Sequence, residues 1–216
     1  MAHHQIIRQR IEGKDCTLHY DYDQIDNRIL SHLSPAGRVE WFEQRMQFVF
    51  LEPLKALYGG RTRAHRALNS TKDDDLPARS FVVATFSVLL NGVEALGSFL
   101  VPASSNKERF RVFLTTYMPA WNVRVAIPNS PYATDDLADI LWTHFRNGIA
   151  HGFCIEGGGI DDEADATNWL IVPGRLAIGP HAFFADFLTG ADRFFADAKT
   201  VHRAAFLERF RKVYPH

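Results

Sequence analysis

The sequence predicts a mainly α fold, a helical bundle carrying a small antiparallel β-ribbon inserted at about residues 153–179. Three observations predict it. Apolar residues recur at helical spacing through long segments between residues 35 and 213. Pro, Gly, Ser and Thr stand where those segments begin and end. Between 153 and 179 the texture changes to short β-type runs split by Gly and Pro. With 216 residues, among them 17 Phe, 4 Trp and 6 Tyr, the chain can bury a sizeable core, so disorder is excluded as its main state. A single domain over 1–216 is expected. Residues 1–33 form an irregular N-terminal segment, and 34–216 form the bundle with its ribbon.

Taken in order, Leu18, Tyr20 and Tyr22 alternate with His19, Asp21 and Asp23, which suits a short strand. A first helix runs from about Pro35 to Tyr58, kinked at Pro53 and ended by Gly59-Gly60. Residues 61–76 are polar, basic first and acidic last, and read as a loop. Pro77 opens a second helix, to about Val101, and Ser104 or Ser105 caps a third, to about 118. Thr134 is a suitable N-cap for a fourth, ending at His151-Gly152. The runs 153–155, 169–172 and 176–178 make the ribbon, broken by Gly157-Gly158-Gly159 and Pro173-Gly174. Pro180 restarts a helix with Phe183, Phe184, Phe187, Leu188, Phe194 and Phe195 at helical spacing, and a last helix covers about 200–213.

The net charge of −1 excludes a global field that would draw in a polyanion, so nucleic-acid binding has to come from local patches. Cys16 and Cys154 are too few for a zinc ribbon or a disulfide framework and suit a reducing compartment. The N-terminal MAHHQIIRQRIEG lacks the apolar region of a secretory signal. The expected location is cytoplasmic. Phe81–Val101 is long enough to span a bilayer, but Asn91 and Glu94 fall inside it, so a buried core helix is expected instead of a membrane span.

That core helix has a polar seam. Ser87, Asn91, Glu94 and Ser98 recur at i, i+4, i+7 and i+11, on one face of an otherwise apolar helix. Either the face reaches solvent, or Glu94 and Asn91 line a polar hollow and hold an Arg or His from a neighbouring helix, because an unpaired buried carboxylate is expensive. The fourth helix offers the neighbour. It ends in His144-Phe145-Arg146-Asn147-Gly148-Ile149-Ala150-His151-Gly152, with Leu137, Ile140, Leu141, Phe145 and Ile149 as its apolar stripe. An Arg and a His five positions apart are weak evidence alone. With 18 Arg and 10 His, chance supplies about one such pair, and Arg211 with His216 is another. The full string, with Asn after Arg, small residues between, and Gly after His, is less common.

This string, Arg146 to Gly152, resembles the signature of the HEPN superfamily, an Arg, often a polar residue next, then a His four to six residues after the Arg. A mainly helical bundle with the motif late in the chain is also similar to that family, where a polar residue on an earlier helix often supports the motif. Glu94 or Asn91 stands in that place. The resemblance implies a metal-independent endoribonuclease, or a nucleotide- or RNA-binding relative, commonly a homodimer with two motifs facing each other. It further implies toxin–antitoxin, phage-defence or RNA-processing roles with an antitoxin-like protein partner. No cofactor and no metal are implied. One departure is Phe153, where a toxin subgroup has a Tyr modified by a partner nucleotidyltransferase.

The residue types suit that chemistry. A His serves as acid or base near neutral pH, and an Arg grips phosphate through two N–H groups as charge builds up. Asn147 can orient the His or bind a phosphate oxygen. On an ideal helix, however, Arg146 and His151 point about 140° apart. Convergence then needs Gly148 and Gly152 to loosen the helix, or a second protomer to bring its own motif. Each residue also has an ordinary reading. His151 can be a cationic helix cap, and Arg146 can pair with Asp139 or stack on Trp142. His144 suits a wall of the core better than a second acid or base. Arg61, Arg63 and Arg66, with His65, suit RNA-backbone contacts or a solvated loop. Lys107, Arg109 and Arg111 read as an ordinary helix face.

Overall fold

The computed structural model describes residues 7–19, 27–56, 75–102, 104–152, 155, 157–172 and 174–215. Within them the fold is mainly α. The elements are strands β1 (Ile7–Ile11) and β2 (Lys14–His19), helices α1 (Asn27–Ser31), α2 (Pro35–Met46), α3 (Asp75–Gly97), α4 (Asn106–Tyr117), α5 (Leu137–Ile140) and α6 (Asn147–Gly152), strands β3 (Gly158–Ile160), β4 (Trp169–Val172) and β5 (Arg175–Ile178), and helices α7 (Pro180–Ala198) and α8 (Arg203–Val213). No helix among the described residues is long and apolar enough to cross a membrane.

The N-terminal segment is not irregular throughout. Residues 7–19 form an antiparallel hairpin that packs on α2. Glu12 and Gly13 both take positive φ, 49° and 76°, which is the turn that matches strand twist. The sequence hides β1 because Arg8, Gln9 and Arg10 are exposed in a row before Ile11 enters the core. In β2, Cys16 and Leu18 point inward, and the Trp41 indole N–H donates to the Thr17 carbonyl at 3.0 Å. The Glu12 carboxylate accepts from the Ser34 N–H at 2.9 Å and from its hydroxyl. Those bonds hold its pKa below the usual carboxylate value. Ser34 in turn caps α2 by accepting from the Gly37 N–H.

Helix α2 passes into a π-helical turn, Gln47–Leu51, just ahead of Pro53. Pro53 has no N–H to donate to an earlier carbonyl, and the expected kink takes this form. Helix α3 starts at Asp75 and stops at Gly97, four residues before the expected end. A Cβ on Gly97 would lie 1.9 Å from the Arg109 carbonyl oxygen, so glycine sets how closely α3 and α4 approach. Ser105 caps α4 by accepting from the Glu108 N–H at 3.2 Å.

The fourth expected helix is a composite. Asp136, not Thr134, is the N-cap, accepting from the Asp139 N–H, while the Thr134 hydroxyl accepts from the Asp136 N–H one step earlier. Helix α5 then widens into a π segment, Leu141–Arg146, before narrowing again into α6. Its stripe of Leu137, Ile140, Leu141, Phe145 and Ile149 is buried as expected and packs on α3 and α4.

The ribbon differs from expectation in two ways. Its strand order is β3-β5-β4, with β4 antiparallel to β5 but β3 parallel to it. Its first strand among the described residues takes in the glycine run, at 158–160, while residues 153 and 154 of the expected run lie outside the described residues. A Cβ on Gly158 would sit 2.8 Å from the Phe145 ring, so these glycines allow the strand to lie on the motif helix.

Helix α7 fills the centre with Phe183, Phe187, Phe194 and Phe195, all buried, against α3, α4 and α2. Phe42, Phe99, Phe206 and Phe210 extend this aromatic core to α8, with Phe99 and Phe206 stacked at 5.0 Å. The Tyr117 hydroxyl donates to the Asp197 carboxylate at 3.2 Å, and burial, reinforced by that carboxylate, pushes its pKa well above the ordinary phenol value.

Two outcomes follow from this packing. Gly97→Ala forces α3 and α4 apart and lowers stability by about 1–3 kcal/mol in urea unfolding. The Tyr117 phenol has a folded-state pKa above its unfolded one, so its contribution is complete below about pH 10 and is lost as pH rises toward the folded value. The stability gap between wild type and Tyr117→Phe therefore narrows between roughly pH 8 and pH 11, read by urea melts at both.

Candidate functional site

Glu94 sits one turn before the end of α3, on the polar seam. The neighbouring α3 positions Leu89, Leu90, Val93 and Leu96 are fully buried. Arg146 is the last residue of the π segment, and Asn147 is the first of α6. The structure brings the three together. Arg146 Nη2 donates to Glu94 Oε2 at 2.7 Å, and Nη1 donates to Asn147 Oδ1 at 3.2 Å. The two charged side chains are 19% and 16% exposed, so the pair is largely withdrawn from water. The guanidinium also lies over the Trp142 ring, 4.9 Å from its centre, and Trp142 in turn packs against Phe110.

The guanidinium carries five N–H groups in a fixed fork. One goes to Glu94 and one to Asn147. The Nε–H is buried and has no hydrogen-bond partner among the described residues. Arg146 is therefore held in one orientation and keeps donors in reserve, which is what preorganised phosphate recognition needs. Asp139, the other partner considered for Arg146, is occupied elsewhere. It receives Arg111 at 3.0 Å and Lys107 at 3.2 Å, and Arg111 also reaches Asp136 at 2.6 Å. Lys107 and Arg111 are thus clamps from α4 onto the start of the motif helix, and not an ordinary solvated face.

The other expected site residues are placed as follows. Asn91 is exposed and takes no part in the Arg146 bonds. His144 is half-buried with its ring 4.7 Å from that of Tyr132, which suits a wall position. Tyr132 donates to the Gly157 carbonyl and ties the ribbon to the loop before α5. The His151 backbone belongs to the last turn of α6, and its side chain lies outside the described residues. Helix α6 runs unbroken from Asn147 to Gly152, without the loosening at Gly148 that the sequence allowed. Arg61, Arg63 and Arg66, with His65, lie outside the described residues, as do Cys154 and Phe153.

An open concavity of about 690 Å³ lies along the loop before α5, lined by Val125, Ile127, Pro128, Tyr132, Thr134 and Asp135 among others. Neither Arg146 nor Glu94 lines it. Among the described residues no three His, Cys, Asp or Glu side chains gather as a metal site.

Compared with protein-family models, with curated proteins and with solved structures, the chain gives no match. Its site is therefore read from its own geometry.

That geometry predicts a cost for breaking the pair. Glu94→Ala leaves a largely buried guanidinium without its counter-charge and lowers stability by about 2–4 kcal/mol, whereas Asn91→Ala, at an exposed position, changes it by less than about 0.5 kcal/mol. Chemical unfolding of the two variants beside wild type checks the contrast.

Proposed function

We propose that the chain is a HEPN-type metal-independent endoribonuclease acting on RNA phosphodiesters. The observation that carries this reading is the Glu94–Arg146–Asn147 arrangement, in which a carboxylate on the core helix fixes the Arg of the RNGIAHG string. Arg146 binds the scissile phosphate and stabilises the charge that builds up on it. His151 takes or gives the proton between the 2′-hydroxyl and the departing 5′-oxygen, and the product is a 2′,3′-cyclic phosphate. Asn147, already bonded to Arg146, orients the pair. The π segment supports the reading, since such widened turns recur at functional sites. On an ideal α-helix an Arg and a His five positions apart point about 140° from each other, which favours a site completed by a second subunit. In this proposal the active unit is a homodimer, in which the motif of one subunit meets its copy. A toxin or phage-defence role with an antitoxin-like partner belongs to the same proposal.

One observation favours a second reading. Arg146 is neutralised by Glu94 and stacked on Trp142, so it can serve purely as a structural link, and the chain would then be a non-catalytic HEPN-like module that binds a nucleotide, RNA or a protein.

Incubating purified protein with RNA in EDTA separates the two. The nuclease reading expects cleavage with cyclic-phosphate ends, reduced about 100-fold or more by His151→Ala and by Arg146→Ala. Cleavage left unchanged by His151→Ala contradicts it, and no cleavage with retained RNA binding supports the second reading.

A further inference from the structure

Helix α3 keeps one stripe turned outward beside the Glu94–Arg146 pair. Ala84, Val88, Asn91 and Ala95 recur at i, i+4, i+7 and i+11, and all four are exposed, over about 16 Å of helix. The stripe stops where Ser98 is buried and accepts from Arg209 Nε of α8 at 3.1 Å. Glu94, bonded to Arg146, borders it on one side. Gly92 borders it on the other, and there the Phe50 ring takes the place of a side chain, 2.6 Å from where a Cβ would stand. Phe50 is half-buried, and Phe48, in the same π-helical turn, is 45% exposed.

Lack of charge sets this face apart. From Val83 to Ser98 the one charged side chain is Glu94, and Arg146 neutralises it. The outward residues of the other long helices include Glu108 on α4, Asp192 and Arg193 on α7, and Glu208 and Arg211 on α8. A solvated helix face ordinarily carries charges, and an exposed apolar patch without them marks a contact surface. The same residues select the partner. A face that meets its own copy brings like groups together, which costs a charged face several kcal/mol and an uncharged one nothing of that kind. Asn91, the polar member of the stripe, carries both an amide donor and a carbonyl acceptor, so its hydrogen bonds can be completed by the same residue of a second copy. Val88 stands three residues before Asn91 and Ala95 four after it. Antiparallel pairing about Asn91 therefore sets a large side chain against a small one on each side of the axis. A standard interface takes about 800 Å² from each partner, and Phe48 and Phe50 widen the stripe toward that size.

We propose that this stripe is the face on which a second copy of the chain docks, with α3 of each subunit antiparallel to the other about a two-fold axis at Asn91. The inference rests on the homodimer of the nuclease reading for its purpose and on the exposed face of α3 for its geometry. A two-fold axis perpendicular to both helices keeps the same flank of each on the same side. The two Glu94 carboxylates then lie about 9 Å apart along the helices, and both Arg146 groups open on one shared cleft. Asn91→Ala is mild on this account, because it changes both sides of the axis together and leaves no unpaired amide.

Sedimentation of the full chain tests the assignment. Wild type is expected to be a dimer at micromolar concentration. Val88→Arg and Asn91→Asp each set like charges across the axis and are expected to weaken self-association about 100-fold or more, with helical content unchanged. Asn91→Lys is expected to do the same alone and to regain the dimer when mixed with Asn91→Asp, because opposite charges then face each other. A wild type that stays monomeric throughout the concentrations of the cleavage assay overturns the pairing, whether or not any variant folds. Dimers that survive both Val88→Arg and Asn91→Asp overturn the surface. Asn91→Asp and Asn91→Lys chains that stay apart when mixed overturn the axis at Asn91. Sedimentation does not read cleavage, so the two failures are distinct. A chain that pairs through this face without cutting RNA keeps the face and contradicts the nuclease reading, while a monomer that cuts RNA does the reverse.

Discussion

Glu94 is a carboxylate on a helix whose neighbouring faces are buried among Phe86, Leu90, Val93 and Leu96, and Arg146 is the cation that makes its presence there tolerable. Taking either charge from water without the other is expensive, so the pair fixes the register of the motif helix against α3. The surrounding packing serves the same contact. Gly97 lets α4 come close, α4 sends Lys107 and Arg111 to the acids at the start of the motif helix, and Gly158 lets β3 lie on Phe145 from the other side. The widened turn between Leu141 and Arg146 then delivers the guanidinium to Glu94 while keeping Phe145 in the core.

A guanidinium held this way is suited to electrostatic work more than to adjustment. One contact to a carboxylate, one to the adjacent Asn147 and a stack on Trp142 leave it little freedom, so little reorganisation would be needed when a phosphate arrives. The same restraint is the argument for a structural role. The two views differ over whether the reserve N–H groups ever meet a ligand.

The seam was legible because a polar face on an otherwise apolar helix demands partners, and the RNGIAHG string supplied a candidate for Glu94. The partner of Ser98 was not legible. Arg209 lies 111 residues away on a helix whose pattern does not say which face meets α3. Lys107 and Arg111 look like members of a solvated row because the row's members are all cationic. Strand β1 was hidden by its own outward residues, Arg8, Gln9 and Arg10. The glycines at 157–159 look like a break, since a glycine needed for a close approach to Phe145 is indistinguishable in sequence from one needed for a turn. Nothing in the sequence separates a π segment from the α-helix around it. The register at Arg146 therefore emerges only when α3, α4 and the ribbon are assembled.

The most direct measurement of this account is a double-mutant cycle on Glu94 and Arg146, with stabilities from urea unfolding of wild type, Glu94→Ala, Arg146→Ala and the double variant. The account predicts strong coupling, about 1.5 kcal/mol or more, with the double variant less damaged than the sum of the two single changes. Additive losses, with coupling below about 0.5 kcal/mol, would mean that the two charges do not depend on each other and would contradict it.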